Sequence, residues 1–218
     1  MTRIGGAVGL WRLGVFLLAA GFWAYEFTVQ DLADFGWQFR FLAIWALSLS
    51  LVSGALALRL SLVPEARPPG TFFTVTAAVN AACVLVFWRL WLADPARAAA
   101  DGAPPLSAFW YLHGLGPLLQ WFEVLVLSRG TRRLGPALGW IGAVAVLYAL
   151  WIEEAVRPLN EMPGGLVTTG LPYRMLNDME LGARVVVYGE ITVLALLLGA
   201  AFAWAGRGIP RLPASSYA

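Results

Sequence analysis

The sequence contains no lysine, one histidine and one cysteine. Without lysine, the chain cannot form the lysine Schiff base that retinal proteins and pyridoxal enzymes use. The single cysteine, Cys83, excludes a disulfide within the chain. The single histidine, His113, excludes paired-histidine haem ligation and the usual Cys/His zinc sites. We therefore expect neither a metal nor a cofactor of these kinds.

Charged residues are also few. They make up 13% of the sequence, whereas hydrophobic residues make up 60%, and an average soluble domain carries about 25% charged residues. A soluble fold of this size would not bury so much apolar surface, so we expect an integral membrane protein. The net charge of +2 therefore reflects membrane topology and not nucleic-acid binding. The expected partners are membrane lipid and other membrane protein subunits.

Six apolar stretches each approach the ~20 residues that a helix needs to cross a bilayer. The sequence therefore predicts an all-α integral membrane protein, a single domain over residues 1–218 that forms a bundle of six transmembrane helices. The predicted spans are 6–25, 37–60, 72–94, 106–128, 134–156 and 184–206.

The arginines predict the orientation of these spans. By the positive-inside rule, the side that collects them is cytoplasmic, which places both termini in the cytoplasm. That side has one acidic residue, Glu65, and the opposite side collects ten. The basic residues are Arg3, Arg12, Arg59, Arg67, Arg129, Arg132, Arg133, Arg207 and Arg211.

His113 lies in the fourth predicted span, four residues before Pro117. An ionisable side chain inside a membrane span is costly and marks a functional site by default. Proline has no N–H for the carbonyl four residues back, which belongs to His113, and Gly114 and Gly116 leave the backbone bare beside it. We expect an irregular helix here, in which the free carbonyl and the imidazole of His113 lie beside empty volume at the same depth in the membrane.

Four more ionisable side chains are predicted at the depth of His113, in the half of the membrane away from the arginine-rich side. Glu190 is the candidate partner of His113, since a carboxylate at this depth has to be paired or protonated. Tyr111 and Gln120 are candidates for lining a cavity, Gln120 because it shares the face of His113. The alternative is structural: a lone histidine often only packs, and such arginines often reach toward headgroups. The four side chains are Arg40, Arg89, Arg184 and Glu190.

Glu123 is not expected in this layer. Ten residues of helix place it about 15 Å from His113, too far to orient the imidazole. Arg129 and Arg132 are its predicted partners, because they lie on the same side of the membrane.

Three stretches form a pattern along spans two to six. Residues 37–42 (WQFRFL) combine an aromatic, a basic and a Phe-Leu element. His113 is followed ten residues later by Glu123, with Pro117 between them. Residues 171–176 (LPYRML) and 182–184 (GAR) precede the last span. In order and spacing, the pattern resembles the androgen-induced gene family of membrane hydrolases and its bacterial six-pass relatives.

The resemblance implies hydrolysis of lipid esters, notably fatty acid esters of hydroxy fatty acids, and a bacterial inner-membrane location. The family uses a threonine nucleophile in the second span and a histidine in the fourth. The histidine carries over to His113 when the spacing to the acid is the anchor. Anchoring on the family's earlier histidine leaves Gly116 at that place. The threonine's position holds Ala43, whose methyl group cannot attack a carbonyl.

Three functions remain open. In the first, the chain has the family fold and a lipid-sized cavity without the nucleophile, and binds a lipid or other apolar cofactor or serves as an accessory subunit. In the second, it is a lipid ester hydrolase with His113 as general base, acting on water or on Ser107, Thr168 or Thr169. The third, a small-solute transporter, has the least support, because neither repeated halves nor paired broken helices are evident.

Overall fold

The computed structural model describes residues 6–29, 32–95, 106–128, 130, 131, 133–160 and 170–208, with the backbone alone at residues 106, 107, 174, 207 and 208. These residues form helices and turns, with no strand among them. Five helices are long and apolar enough to cross a membrane. The predicted all-α, multi-pass membrane class is therefore confirmed. The fourth predicted span is helical but is not one of the five.

In chain order, the helices are numbered α1 to α7. They are α1 (Ala7–Val29), α2 (Leu42–Leu62), α3 (Gly70–Ala93), α4, α5, the short α6 (Arg174–Asn177) and α7 (Leu181–Gly208). Helix α4 is a run of four segments, Leu106–Trp110, the π-helical Tyr111–Leu115, Gly116–Phe122 and the π-helical Glu123–Leu127. Helix α5 runs through Leu134–Leu150, the π-helical Trp151–Val156 and Arg157–Asn160. A 3₁₀ turn, Trp37–Arg40, precedes α2.

Helix α3 lies at the centre of the bundle, and residues 73–83 within it are all buried. It contacts α2, α4, α5 and α7. Helix α1 packs mainly on α2, and α7 packs on α3 and α5. Apolar side chains such as Leu10, Val146 and Leu197 remain exposed around the outside. A bundle with an apolar exterior and a packed centre is what a lipid environment favours, because lipid does not drive apolar side chains inward.

The loops meet at two ends of the bundle. At the arginine-rich end, the α4–α5 connection touches the start of α3, and the N–H of Thr131 donates to the Thr74 hydroxyl at 2.8 Å. At the opposite end, which we call the acidic end, the start of α2 meets the segment before α7. There the N–H of Leu42 donates to the Tyr173 hydroxyl at 2.9 Å.

A buried ion pair joins α1 to α4. Nε and Nη2 of Arg12 donate to the carboxylate of Glu123, the shortest contact being 2.8 Å, and the two side chains are 5% and 4% exposed. Nη1 of Arg12 donates to the Ser61 hydroxyl of α2 at 3.1 Å. The Ser128 hydroxyl donates to Glu123 as well. Three helices therefore meet at one neutralised charge pair.

This pair corrects the partner predicted for Glu123. The sequence predicts Arg129 and Arg132, which lie outside the described residues. The carboxylate instead binds Arg12, from the first helix. The physical reason is depth: a buried carboxylate needs a counter-ion beside it, and removal of one charge leaves the other buried and unpaired. An arginine one turn into α1 meets that need.

We expect Arg12→Ala to lower the free energy of unfolding by about 3–5 kcal/mol, because it leaves Glu123 buried without a counter-ion. Unfolding of the purified protein in mixed detergent micelles measures this loss. The double variant Arg12→Met, Glu123→Leu should recover most of it, since no unpaired charge remains. The control Arg59→Ala, exposed on α2, should change stability by less than about 0.5 kcal/mol. Equal losses for Arg12→Ala and Arg59→Ala would contradict the prediction.

Candidate functional site

The backbone at His113 is π-helical, and Pro117 explains why. The N–H of Gly116 donates to the carbonyl of Tyr111, five residues back, and Pro117 has no N–H for the carbonyl of His113. Trp88 of α3 supplies the missing donor, since its indole Nε1 lies 2.8 Å from that carbonyl oxygen. The predicted irregularity is present, and the carbonyl that proline leaves free has a partner on a neighbouring helix.

The imidazole of His113 lies in an aromatic cluster. It stacks on Phe87 with ring centroids 3.5 Å apart and planes at 2°, and Phe109 meets it edge-on at 6.1 Å. Its Nδ1 is buried, without a hydrogen-bond partner among the described residues. A general base has to lie within hydrogen-bond reach of the proton that it takes. No described hydroxyl donates to this ring; the side chain of Ser107 and residues 168 and 169 lie outside the described residues.

Glu190, the predicted partner of His113, is not near it. Its side chain is exposed on α7, and the described residues offer it no counter-ion. Gly199, nine residues further on, packs against Ala78 of α3 and Ile141 of α5. Nine residues turn a helix by two and a half turns, so Glu190 faces away from the bundle. The rotation of α7 about its axis keeps the two residues apart. Their similar depth in the bundle does not determine that rotation.

The predicted layer of five ionisable side chains does not form one site. Arg89 is exposed near the end of α3 and has no counter-ion within the described part of the chain, which fits an arginine that reaches toward headgroups. Arg40 and Arg184 are buried, 6% and 3% exposed, and each binds its own carboxylate. The layer therefore divides into two separate ion pairs and three isolated groups.

Arg184 binds Glu153 across the contact between α7 and α5. Its Nε and Nη2 donate to the two carboxylate oxygens at 2.7 and 3.0 Å, and its Nη1 donates to the carbonyl of Met179 at 2.5 Å. The Tyr188 hydroxyl donates to Glu153 at 2.8 Å. The sequence predicts a carboxylate for this layer on α7, Glu190. The structure instead has Glu153, in the π-helical segment of α5.

The 3₁₀ turn at the acidic end is held by hydrogen bonds from two helices. The indole N–H groups of Trp45 and Trp151 both donate to the carbonyl of Phe39, at 2.8 and 3.0 Å. The Tyr148 hydroxyl donates to the carbonyl of Arg40 at 2.9 Å. Burial raises the pKa of Tyr173, which lies in the α5–α7 connection, to about 12, so its hydroxyl stays neutral beside the start of α2.

The turn directs the side chain of Arg40 into a cavity of about 50 Å³ at the acidic end. Its Nη1 donates to Asp34, and its guanidinium lies 5.0 Å from the ring centroid of Phe41. Nε is buried without an acceptor within the described residues. Asn160 and Leu171 complete the wall. We call this space the outer cavity.

A second, smaller cavity lies between α2, α3 and α4. Ala43, Ser50, Asn80, Tyr111 and Gly116 line it, and its volume of about 10 Å³ is room for about one water molecule. Asn80 donates to the Ser50 hydroxyl at 2.9 Å. A Cβ at Gly116 would lie 2.9 Å from the carbonyl oxygen of Tyr111, so no larger residue fits there unchanged. Neither cavity is large enough for an acyl chain.

Gln120 does not line either cavity. It is 2% exposed, and its Nε2 donates to the Ser53 hydroxyl of α2 at 2.6 Å. The deeper cavity expected beside it is therefore filled by an interhelical hydrogen bond, of the kind that joins helices in membranes.

Asp34 and Glu153 bind the two buried arginines of the acidic end, but neither is among the candidate site residues predicted from the sequence. Both belong to the ten acidic residues of the acidic side. Glu153 also precedes Arg157 by four residues, and Arg157 donates to it at 3.4 Å, a spacing typical of helical ion pairs. That spacing was the available signal for Glu153. Asp34 lies in a turn, where no periodicity identifies it.

The described residues contain no group of three or more His, Cys, Asp or Glu side chains close enough to hold a metal ion. The fold and its buried ion pairs define a helical, multi-pass membrane protein. The chain matches no protein-family model, no curated protein and no solved structure. The resemblance to the androgen-induced gene family therefore rests on the sequence motifs alone.

We expect Arg184→Ala to lower the free energy of unfolding by about 3–5 kcal/mol, because Glu153 then loses its main counter-ion. Arg89→Ala is the matched control at the same end of the bundle. It should change stability by less than about 0.5 kcal/mol, since that side chain is exposed. Unfolding in mixed micelles measures the free energy of unfolding of both variants. Equal losses would contradict the prediction, because the ion pair would then contribute no more to stability than an exposed arginine.

We expect Trp88→Phe to lower stability by about 1–3 kcal/mol, because it leaves the carbonyl of His113 buried without a donor. In a Pro117→Ala background, the new N–H of residue 117 serves that carbonyl, so the same change should cost less. A double-mutant cycle measures the coupling. Additive losses would indicate that Trp88 contributes by packing alone.

Proposed function

We propose that this chain is a membrane protein that binds a lipid without hydrolysing it. The observation that carries the proposal is the space beside Ala43, which is enclosed by residues of α2, α3 and α4 and has room for about one water. A lipid ester does not enter it, and no described side chain there carries a nucleophile next to a base. Lipid contact is therefore assigned to the outside of the bundle and to the outer cavity.

The topology that we propose has six spans, with α4 as the fourth. The run from Leu106 to Leu127 exceeds the ~20 residues that a span needs. Two of its polar side chains are satisfied inside the bundle: Gln120 by Ser53 and Glu123 by Arg12. Six spans also place both termini on the arginine-rich side, which is cytoplasmic by the positive-inside rule. We assign the protein to a bacterial inner membrane on the resemblance alone.

Loss of hydrolysis is supported by two residues that line the same small cavity. Ala43 stands where the androgen-induced gene family has its threonine, and Gly116 stands where one anchoring of the family motif has its histidine. Both side chains are too small for the chemistry, and both border one hollow. Under the other anchoring, His113 is the base, yet its ring is stacked on Phe87. Both anchorings favour a chain that has no catalytic pair.

We expect no labelling of the purified protein by a fluorophosphonate that carries a lipid ester-like chain. Such a probe phosphonylates an activated nucleophilic side chain, with loss of fluoride. Lipid ester turnover should be at background for the natural chain and for His113→Ala alike, and a known lipase serves as the positive control. Labelling that His113→Ala abolishes would instead establish the hydrolase with His113 as general base.

A second candidate function, an accessory subunit, is favoured by Glu190. An exposed carboxylate within a span is costly in lipid, and Gly182 and Gly189 on the same helix have open space where a side chain would stand. Small residues let a partner helix approach closely. We expect such a partner to present an arginine, lysine or amide to Glu190. The size of the complex extracted in mild detergent should then fall for Glu190→Leu and not for Val193→Leu; an unchanged size excludes this candidate.

A further inference from the structure

The outer cavity is large enough for a small polar group. One water needs about 10–15 Å³ of such space, so the cavity of about 50 Å³ takes roughly three to five waters or a group of similar size. Its polar wall is a single ion pair, Arg40 with Asp34, supplemented by Asn160. Phe41 and Leu171 supply the apolar wall.

The guanidinium of Arg40 has more donors than the protein satisfies. It carries five N–H groups, and among the described residues the structure gives them one acceptor, Asp34. The Arg40 side chain is 8% exposed, and a buried donor without an acceptor is costly. Phosphate oxygens are well suited to supply the missing acceptors, because a guanidinium binds them with paired, charge-assisted hydrogen bonds.

Asp34 gives the same cavity a place for a cation. Its side chain is 50% exposed, and only Oδ2 accepts from Arg40. No other charged side chain of the described residues lines the cavity, so the site as a whole is neutral. A free anion would therefore meet the repulsion of Asp34, whereas a ligand with one phosphate and one N–H-bearing cation complements both charges.

The height of the cavity matches that of lipid headgroups. Arg40 lies two residues before α2 begins. The aromatic side chains of Phe35 and Trp37 beside it are exposed, at 41% and 54%, and tryptophan in particular is enriched where headgroups meet the apolar core. A lipid whose acyl chains lie along the outside of the bundle can thus place its headgroup here.

We infer that the outer cavity binds the headgroup of an ethanolamine phospholipid, with its phosphate against Arg40 and its primary ammonium against Asp34. A choline headgroup has no N–H to donate to Asp34. A glycerol headgroup brings no cation for Asp34. The inference names the lipid class and the place for the lipid binding proposed above. It rests on that binding but not on the loss of hydrolysis.

The test uses the full-length protein, stripped of lipid in detergent, and native mass spectrometry. Phosphatidylethanolamine, phosphatidylcholine and phosphatidylglycerol with identical acyl chains are titrated separately. The ethanolamine lipid should bind about tenfold more tightly than the other two, as one additional charge-assisted hydrogen bond predicts. Inorganic phosphate, added as a competitor, should not displace it.

Two variants assign the two charges. Asp34→Asn should remove the preference for ethanolamine over choline, and it should not weaken binding of the choline lipid. Arg40→Gln should weaken all three lipids about tenfold or more. Asn keeps a side-chain oxygen that can accept from Arg40, so Asp34→Asn removes the charge at this half-exposed position without removing the acceptor, and it decides the test. Arg89→Gln, exposed near the end of α3, is the control and should leave all three affinities unchanged.

The outcomes separate this inference from the proposed function. Equal affinities for the three lipids, or a preference that persists in Asp34→Asn, would overturn the inference and leave lipid binding standing. Binding of none of the three lipids would overturn both. Displacement by inorganic phosphate would show that the cavity takes a free anion, which also overturns the assignment to a lipid.

Discussion

A charge inside an apolar bundle has to be neutralised within the protein, and this constraint holds the outermost helices of this structure in place. Helices α1 and α7 are the least enclosed by packing, with 17% and 11% of their apolar windows buried. Each carries a buried arginine that binds a carboxylate on another helix: Arg12 binds Glu123 of α4, and Arg184 binds Glu153 of α5. Lipid offers little driving force for helix association, so packing alone constrains these two helices weakly. Separating a buried ion pair is costly, and the counter-ion therefore fixes the position and rotation of each helix.

Both carboxylates, and His113, lie in π-helical segments. A π-helical turn inserts a residue relative to the α-helix, so it changes the direction of the side chains that follow, and such turns are frequent at functional sites. At His113 the cause is Pro117, and the disturbed backbone group is satisfied by Trp88. The same segment brings Tyr111 against Gly116 and so closes the space beside Ala43. Tyr111, Gly116 and Pro117 all line the cavity between α2, α3 and α4, so the irregular backbone of α4 forms one of its walls.

Apolar length and the position of proline were sufficient to predict the membrane class, five of the spans and the irregular backbone at His113. Those properties depend on residues close together in sequence. Which charges meet depends instead on how far each helix is rotated and shifted against its neighbours. The sequence predicts the depth of Glu190 but not the face of α7 on which it lies, and it predicts loop arginines for Glu123, whose partner is Arg12. The sequence does not predict the outer cavity for the same reason, because Asp34, Asn160 and Leu171 come from three separate segments.

The distribution of unsatisfied polar groups bears on the choice between catalysis and binding. An enzyme requires free donors and acceptors at a reacting centre, held apart from their own partners until substrate arrives. In the middle of this bundle the amides of Asn80 and Gln120 are committed to serines of α2, and Ala43 and Gly116 contribute no polar atom from their side chains. The unsatisfied donor that faces a cavity lies at the acidic end, where the guanidinium of Arg40 has one protein acceptor among the described residues. Because that group stands at headgroup height and next to no nucleophile, its unsatisfied donor favours holding a lipid over transforming one.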